Sequence, residues 1–168
     1  AGDCASHYHV VKEKDVYIPL GTTANKQGRI AGNNMAGGRE AFSGIAGTAI
    51  TKIINMGVAR TGLSKKEAIA EGIPAEEVII DSMDLARYYP EHNPVKVKLI
   101  GSKESKKLIG AQIIGQNAFA KRIDVLALAV QNGIKVEDLA DTDMAYAPPF
   151  APVWDPFLIA AGILKDKL

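Results

Sequence analysis

Residues 145–156 carry aromatic side chains that could meet a ligand or a partner. They include Tyr146, Phe150 and Trp154, the chain's single tryptophan, together with four of its eight prolines. Proline fixes φ and removes a backbone donor, so this stretch is neither helix interior nor central strand. A stiff segment loses little entropy when it docks, which suits it to present its rings to a partner. A rigid lid over the protein's own core is the alternative.

Tyr88 and Tyr89 form a second aromatic pair. Pro90 disfavours helix at Tyr89, which predicts an extended segment. Neighbouring side chains of an extended segment face opposite ways, so one tyrosine can face a core while the other faces a cleft.

Cys4, His7 and His9 have the spacing C-x2-H-x-H, and thiolate and imidazole are zinc ligands. No fourth ligand lies nearby in the sequence and structural zinc sites more often pair C-x2-C motifs, so we expect no metal site. Asp81 and Asp84 are expected to be a strand end and a cap, not a catalytic pair. The sequence also lacks a Ser–His–Asp signature, a P-loop and a complete G-x-G-x-x-G motif, so we expect no self-sufficient active site.

Composition restricts the class of protein. The 168 residues are 47% hydrophobic and 23% charged, as in an ordinary globular domain. The net charge of +1, without a long basic run, argues against nucleic-acid and membrane-surface partners. The single cysteine excludes an intrachain disulfide and fits a reducing compartment, from which we predict a cytoplasmic protein.

The glycine-rich N-terminal part of the chain predicts one helix. Thr22 or Thr23 is expected to cap a helix over residues 24–35, although Gly28 and Gly32 each cost about 1 kcal/mol relative to alanine. The free N–H groups at the start of this helix could bind an anion or a carbonyl. A glycine-softened surface helix is the alternative.

The following part predicts strands separated by a short helix. Residues 48–62 are β-branched and bounded by glycine, which indicates a strand with a possible turn at 55–57. Ser64 and Glu67 have the spacing of a capping box, which predicts a helix start. A further strand is predicted over 77–81.

Residues 95–100 alternate apolar and polar side chains, and 108–115 return as a strand. Together they predict a β-hairpin of an antiparallel sheet. The order of the elements predicts an α+β fold, an antiparallel sheet with helices packed on one face.

Apolar residues at helical spacing predict a helix over 119–130. Lys121 and Arg122 fall off this apolar stripe. They are solvated surface charges, as charges on helix faces usually are, or they contact an anionic ligand. Asp155 and Pro156 predict the cap and the first residue of a last helix.

The chain resembles the C-terminal part of the coenzyme A–disulfide reductase and NADH oxidase group of the pyridine nucleotide–disulfide oxidoreductases. Six segments in family order carry the resemblance: 1–5 (AGDCA), 18–29 (IPLGTTANKQGR), 58–63 (VARTGL), 88–90 (YYP), 121–125 (KRIDV) and 145–150 (AYAPPF). It implies that residues 1–45 are a remnant of an FAD-binding domain and that residues 46–168 are a dimerisation domain.

The resemblance also implies roles for single residues. Asp3 matches the aspartate that hydrogen-bonds the ribityl chain of FAD, and Ala24, Asn25 and Lys26 match the helix start beneath the flavin ring. Two further residues, Tyr88 and Tyr146, match tyrosines that approach the reactive sulfur of the other subunit, which implies a homodimer.

This sequence departs from the family in ways that limit its own activity. It lacks the FAD phosphate loop, the NAD(P)H domain and the redox cysteine, which Cys4 does not match, and its tail has no histidine. It also begins without a methionine, so we expect an inactive fragment. The parent would pass a hydride from NAD(P)H through FAD to a cysteine, then to coenzyme A disulfide, a persulfide or oxygen. A free-standing dimerisation or scaffold module is the alternative.

Overall fold

The computed structural model describes residues 1–168, apart from the side chain of Asn117. The chain divides into two compact units, Ala1–Gly47 and Thr48–Leu168. The first unit holds an antiparallel pair, β1 (His7–His9) and β2 (Lys14–Val16). Helix α1 (Gly21–Met35) follows this pair.

Helix α1 begins at Gly21, three residues before the start predicted from the sequence at residue 24. Leu20 stands at the N-cap with extended backbone and no side-chain hydrogen bond, so the predicted threonine cap is wrong. Thr22 and Thr23 lie in the first turn instead, and Thr23 is buried. The start of the helix therefore keeps backbone N–H groups that no side chain of the cap residue satisfies.

The second unit is built on a five-stranded antiparallel sheet. Its strands are β3 (Ala49–Ile53), β4 (Met56–Gly62), β5 (Ala75–Met83), β6 (Pro94–Ser102) and β7 (Leu108–Gly115), in the spatial order β3-β4-β7-β6-β5. The α+β prediction and the β6–β7 hairpin are confirmed. The strand predicted over 48–62 is two strands, because a turn with Ile54 at φ 54° separates β3 from β4.

Helices complete the second unit: α2 (Lys65–Ala70), α3 (Asn117–Ala120), α4 (Ile123–Gln131), α5 (Val136–Ala140) and α6 (Pro156–Lys165). The capping box at the start of α2 is confirmed, and so are the cap and the proline that begin α6. The single helix predicted over 119–130 is wrong, because the helical conformation is interrupted at Lys121-Arg122, between α3 and α4.

Alternating burial along the strands separates the two faces of the sheet. Val97 and Ile113 are paired and fully buried, and the fully buried Leu126 of α4 and Phe157 of α6 belong to the same core. Ile114, directly after Ile113, points to the opposite face, where a concavity of about 480 Å³ opens between the strands. Along the described chain, no helix is long and apolar enough to cross a bilayer.

Candidate functional site

Two loops of the second unit bring Tyr88 and Tyr146 together. Tyr88 lies between β5 and β6, and Tyr146 lies between α5 and α6. Their hydroxyl oxygens are 3.0 Å apart and share a hydrogen bond, although the residues are 58 positions apart in sequence. The two side chains are 74% and 43% exposed, respectively, so a ligand or a partner can reach the pair.

The hydrogen bond gives the two phenols different roles. The hydrogen bond to Tyr88 raises the pKa of Tyr146, and partial burial raises it further. A hydrogen bond between two neutral hydroxyls stabilises the protonated phenol, which accounts for this direction. Either hydroxyl can be the donor, and the one that accepts keeps its own proton to donate outward. The pair therefore presents one phenolic O–H to whatever binds there at neutral pH.

The loop that carries Tyr88 is a closed turn, so the extended conformation predicted there is wrong. The amide of Tyr89 donates to Ala86 O at 2.8 Å, which folds the chain back before Pro90. Asp84 and Asn93 close the neck of the loop, because the amide of Asn93 donates to Asp84 Oδ1 at 2.6 Å and the amide of Asp84 donates to Asn93 O at 3.0 Å. The closed loop holds Tyr88 at its exposed end.

The proline-rich segment that carries Tyr146 also contains a turn. Ala147 O accepts from the amides of Phe150 and Ala151 at 2.9 and 3.1 Å. Phe150 and Trp154 are 77% and 68% exposed, whereas Ala151 is buried. The rings do not cover the core, so the lid alternative is wrong for Phe150 and Trp154.

Arg122 is not the solvated charge that its sequence position suggests. Its Nη2 donates to Asp155 Oδ2, and Asp155 is only 2% exposed. Its guanidinium carbon lies 5.1 and 5.4 Å from the ring centroids of Phe119 and Phe157. The anion that Arg122 meets is thus an internal carboxylate, whereas the exposed Lys121 pairs with Asp124.

In the first unit, the residues predicted to hold FAD lie side by side. The amide of Gly2 donates to Gln27 Oε1 at 2.8 Å, which ties the turn containing Asp3 to α1. A Cβ built on Gly2 would lie 4.0 Å from Ala24 Cβ. Asp3, Asn25 and Lys26 are exposed, and the first turn of α1 contains no acidic residue. A carboxylate beside the positively polarised N-terminal end of a helix fits the hydroxyls and the polar edge of a flavin nucleotide.

The histidines of the first unit serve its fold. Nδ1 of the buried His7 accepts from Gln27 Nε2 at 2.6 Å, and His9 Nδ1 accepts from the amides of Val11 and Lys12. Cys4 is exposed and free. Within the described residues, no group of three His, Cys, Asp or Glu side chains is placed to hold a metal ion. Sequence reasoning missed Gln27, which links His7 to Gly2.

Known proteins match the chain over nearly its whole length. The family profile described as "Pyridine nucleotide-disulphide oxidoreductase, dimerisation domain" matches residues 45–156. A CoA-dependent NAD(P)H sulfur oxidoreductase of Pyrococcus furiosus is 40% identical over 165 residues, 98% of this chain and 37% of the relative. A coenzyme A disulfide reductase of Staphylococcus epidermidis is 31% identical over 87% of this chain and 33% of its own length.

Solved structures agree with these sequence relatives. An NAD-dependent persulfide reductase from A. fulgidus superposes with a TM-score of 0.94 at 42% identity, covering 99% of this chain and 31% of that chain. The chain thus spans about a third of the length of the proteins it matches. Because the family profile covers more than half of the chain, the chain belongs to the pyridine nucleotide-disulphide oxidoreductases, and residues 45–156 are a dimerisation domain of that family.

Proposed function

We propose that the chain is the C-terminal, dimerising part of an FAD-dependent NAD(P)H oxidoreductase that reduces a disulfide or persulfide of a small thiol such as coenzyme A. The hydrogen bond between the Tyr88 and Tyr146 hydroxyls carries this proposal. Three relatives named for sulfur or polysulfide/persulfide reduction are 40%, 39% and 38% identical to the chain, whereas three named NADH oxidase are 32%, 31% and 28% identical. This order favours a sulfur acceptor over oxygen.

The tyrosine pair supplies a proton in this reaction. When the acceptor's S–S bond takes two electrons and breaks, the leaving thiolate needs a proton. No histidine follows His92 in the sequence, and the outward O–H of the Tyr88–Tyr146 pair is the donor in this segment. In a homodimer the pair would approach the reactive sulfur of the partner subunit.

The first unit contributes to the FAD site. With FAD bound, Asp3 would accept a hydrogen bond from a ribityl hydroxyl. Ala24, Asn25 and Lys26 would lie beneath the flavin near the N-terminal end of α1, where the helix dipole stabilises negative charge on the pyrimidine edge. FAD, when bound, supplies the route for the two electrons.

The single, exposed Cys4 remains compatible with a cytoplasmic protein.

Removal of one hydroxyl tests the tyrosine role. In the full-length protein, Tyr146→Phe keeps the ring and should slow disulfide reduction about tenfold or more, since one such hydrogen bond is worth roughly 1–3 kcal/mol. Tyr17→Phe removes an exposed tyrosine hydroxyl from the first unit and is the control. Unchanged turnover with a lowered melting temperature would assign Tyr146 to folding and overturn the catalytic role.

Light scattering tests the dimer. The 168-residue chain should have twice its monomer mass, because exposed Val125, Leu128, Phe150 and Trp154 leave apolar surface for a partner. A monomer at high concentration would contradict the proposal. An upstream reading frame with a G-x-G-x-x-G motif and a single redox cysteine would exclude the free-standing module.

A further inference from the structure

The segment from Gln116 to Arg122, which we call the anchor segment, connects β7 to α4 and contains α3. It makes one polar contact with each of the two loops that carry the tyrosine pair. Gln116 contacts the Tyr88 loop, and Arg122 contacts the end of the Tyr146 segment. Two loops that are far apart in sequence are therefore fastened to one short stretch of chain.

The contact with the Tyr88 loop passes through Asn93. Gln116 Nε2 donates to Asn93 Oδ1 at 2.8 Å. Asn93 also closes the neck of the loop, since its amide and its Nδ2 donate to the two carboxylate oxygens of Asp84 at 2.6 and 3.2 Å. Because the neck is closed, fastening Asn93 fixes the base of the whole loop.

The contact with the Tyr146 segment passes through Asp155. Arg122 donates to Asp155 Oδ2, while Asp155 Oδ1 accepts from the amide of Phe157 at 2.9 Å and caps α6. Asp155 is 2% exposed, and a buried carboxylate needs a charged partner. Arg122 is itself held against the rings of Phe119 and Phe157. The C-terminal end of the segment is thus fixed.

We propose that Gln116 and Arg122 are positioning residues that hold the hydroxyls of Tyr88 and Tyr146 at hydrogen-bonding distance. The proposal deepens the proposed function, on which its catalytic meaning rests. A hydrogen bond between two exposed side chains on separate loops forms only if both loop bases are fixed relative to each other, because free loops would lose it to solvent. The anchor segment supplies that common base.

Tyrosine titration tests the proposal in the 168-residue chain. With ¹³Cζ-labelled tyrosine, NMR follows each phenol through its own pKa. Tyr88→Phe removes the hydroxyl that is hydrogen-bonded to Tyr146 and sets the pKa that Tyr146 has without the hydrogen bond. In Gln116→Met and in Arg122→Met the pKa of Tyr146 should fall to that reference, and Arg122→Lys should restore part of the shift.

Matched controls separate positioning from general loosening. Lys121→Met removes a neighbouring charge from the same segment and should leave the pKa of Tyr146 unchanged. The resonances of Tyr8 and Tyr17, in the other unit, should titrate as in the wild type in every variant.

Two outcomes would overturn the proposal. One is a wild-type titration of Tyr146 in both methionine variants. The other is a lowered melting temperature in Arg122→Met with an unchanged pKa of Tyr146, which would make Arg122 merely structural. If Arg122→Met does not fold, Gln116→Met alone tests the proposal. Gln116 is exposed, so its replacement should leave the chain folded. The readout needs neither FAD nor substrate, so its failure is distinct from a failure of the Tyr146→Phe turnover test.

Discussion

The charge of Glu67 should control the acid stability of the second unit. Glu67 Oε2 accepts from the amide of Ser64 and from Arg60 Nη2, each at 2.7 Å, while its own amide donates to Ser64 Oγ at 3.2 Å. Burial alone would raise the pKa of Glu67, but the hydrogen bonds from Arg60 and Ser64 outweigh it and hold the pKa at about 2, against the ordinary 4.5. These contacts fasten α2 to β4.

A lowered carboxyl pKa stabilises the folded state above the unfolded pKa. The stabilisation is therefore complete above pH 4.5 and is lost as the pH falls towards about 2. A shift of this size corresponds to roughly 3 kcal/mol without screening. Because the Glu67 side chain is 38% exposed, solvent screening reduces this to about 1 kcal/mol. In a chain of this size that is about 2–4 °C in Tm.

Urea unfolding of the wild type and of Glu67→Gln between pH 7 and pH 2.5 measures this contribution. Glutamine retains the reach of a capping box without the charge. The wild type should be more stable by about 1 kcal/mol at pH 7, and the difference should shrink steadily as the pH falls from 4.5 to 2.5. Glu104→Gln, at an exposed glutamate, should show no such convergence. A difference that stays constant over the whole range would refute the reasoning.

Three further predictions concern packing, exchange and cofactor retention. Gly110→Ala should lower the free energy of unfolding in urea by about 3 kcal/mol or more, because the added Cβ would lie 1.8 Å from Leu63 O. Gly162→Ala, whose Cβ meets nothing within 4 Å, should not destabilise the chain. Equal effects of the two substitutions would contradict this prediction. Amides of α1 should exchange faster than those of β6 and β7, because the first unit buries few large apolar side chains; equal protection would disprove it. The isolated chain should purify without a flavin spectrum, since it lacks a G-x-G-x-x-G diphosphate loop; a yellow protein would show that this is wrong.

The elements predicted correctly from sequence are those with local chemical signals. The strand over 108–115 has the bounds of β7, and the strand over 95–100 lies within β6, because apolar alternation reports which face is buried. Ser64 and Asp155 begin their helices as predicted, because a cap is a contact between a side chain and an amide two or three residues away.

The errors fall where the deciding partner is distant in sequence. Arg122 was expected to be a solvated charge or to contact an anionic ligand, but its partner is the carboxylate of Asp155, 33 positions away in the same chain. The one sequence signal that could have indicated a buried partner was the charge of Arg122 between the apolar positions of a predicted helix. Tyr88 was expected in an extended segment, but the neck between Asp84 and Asn93 folds it into a loop. Neither partner can be identified from periodicity.

The direction of the hydrogen bond between the two tyrosines leads to a final prediction. Residue patterns do not pair Tyr88 with Tyr146, and the resemblance gives both the same role. The hydrogen bond allows either hydroxyl to donate. If Tyr146 donates to Tyr88, the two act in series, with Tyr88 facing the thiolate. Residues that act as a unit are not additive, so in the full-length protein the double Phe variant should be no slower than Tyr88→Phe alone. Turnover should also fall at least as far in Tyr88→Phe as in Tyr146→Phe. Losses that multiply in the double variant would mean that each phenol donates its own proton independently, and the serial arrangement would be wrong.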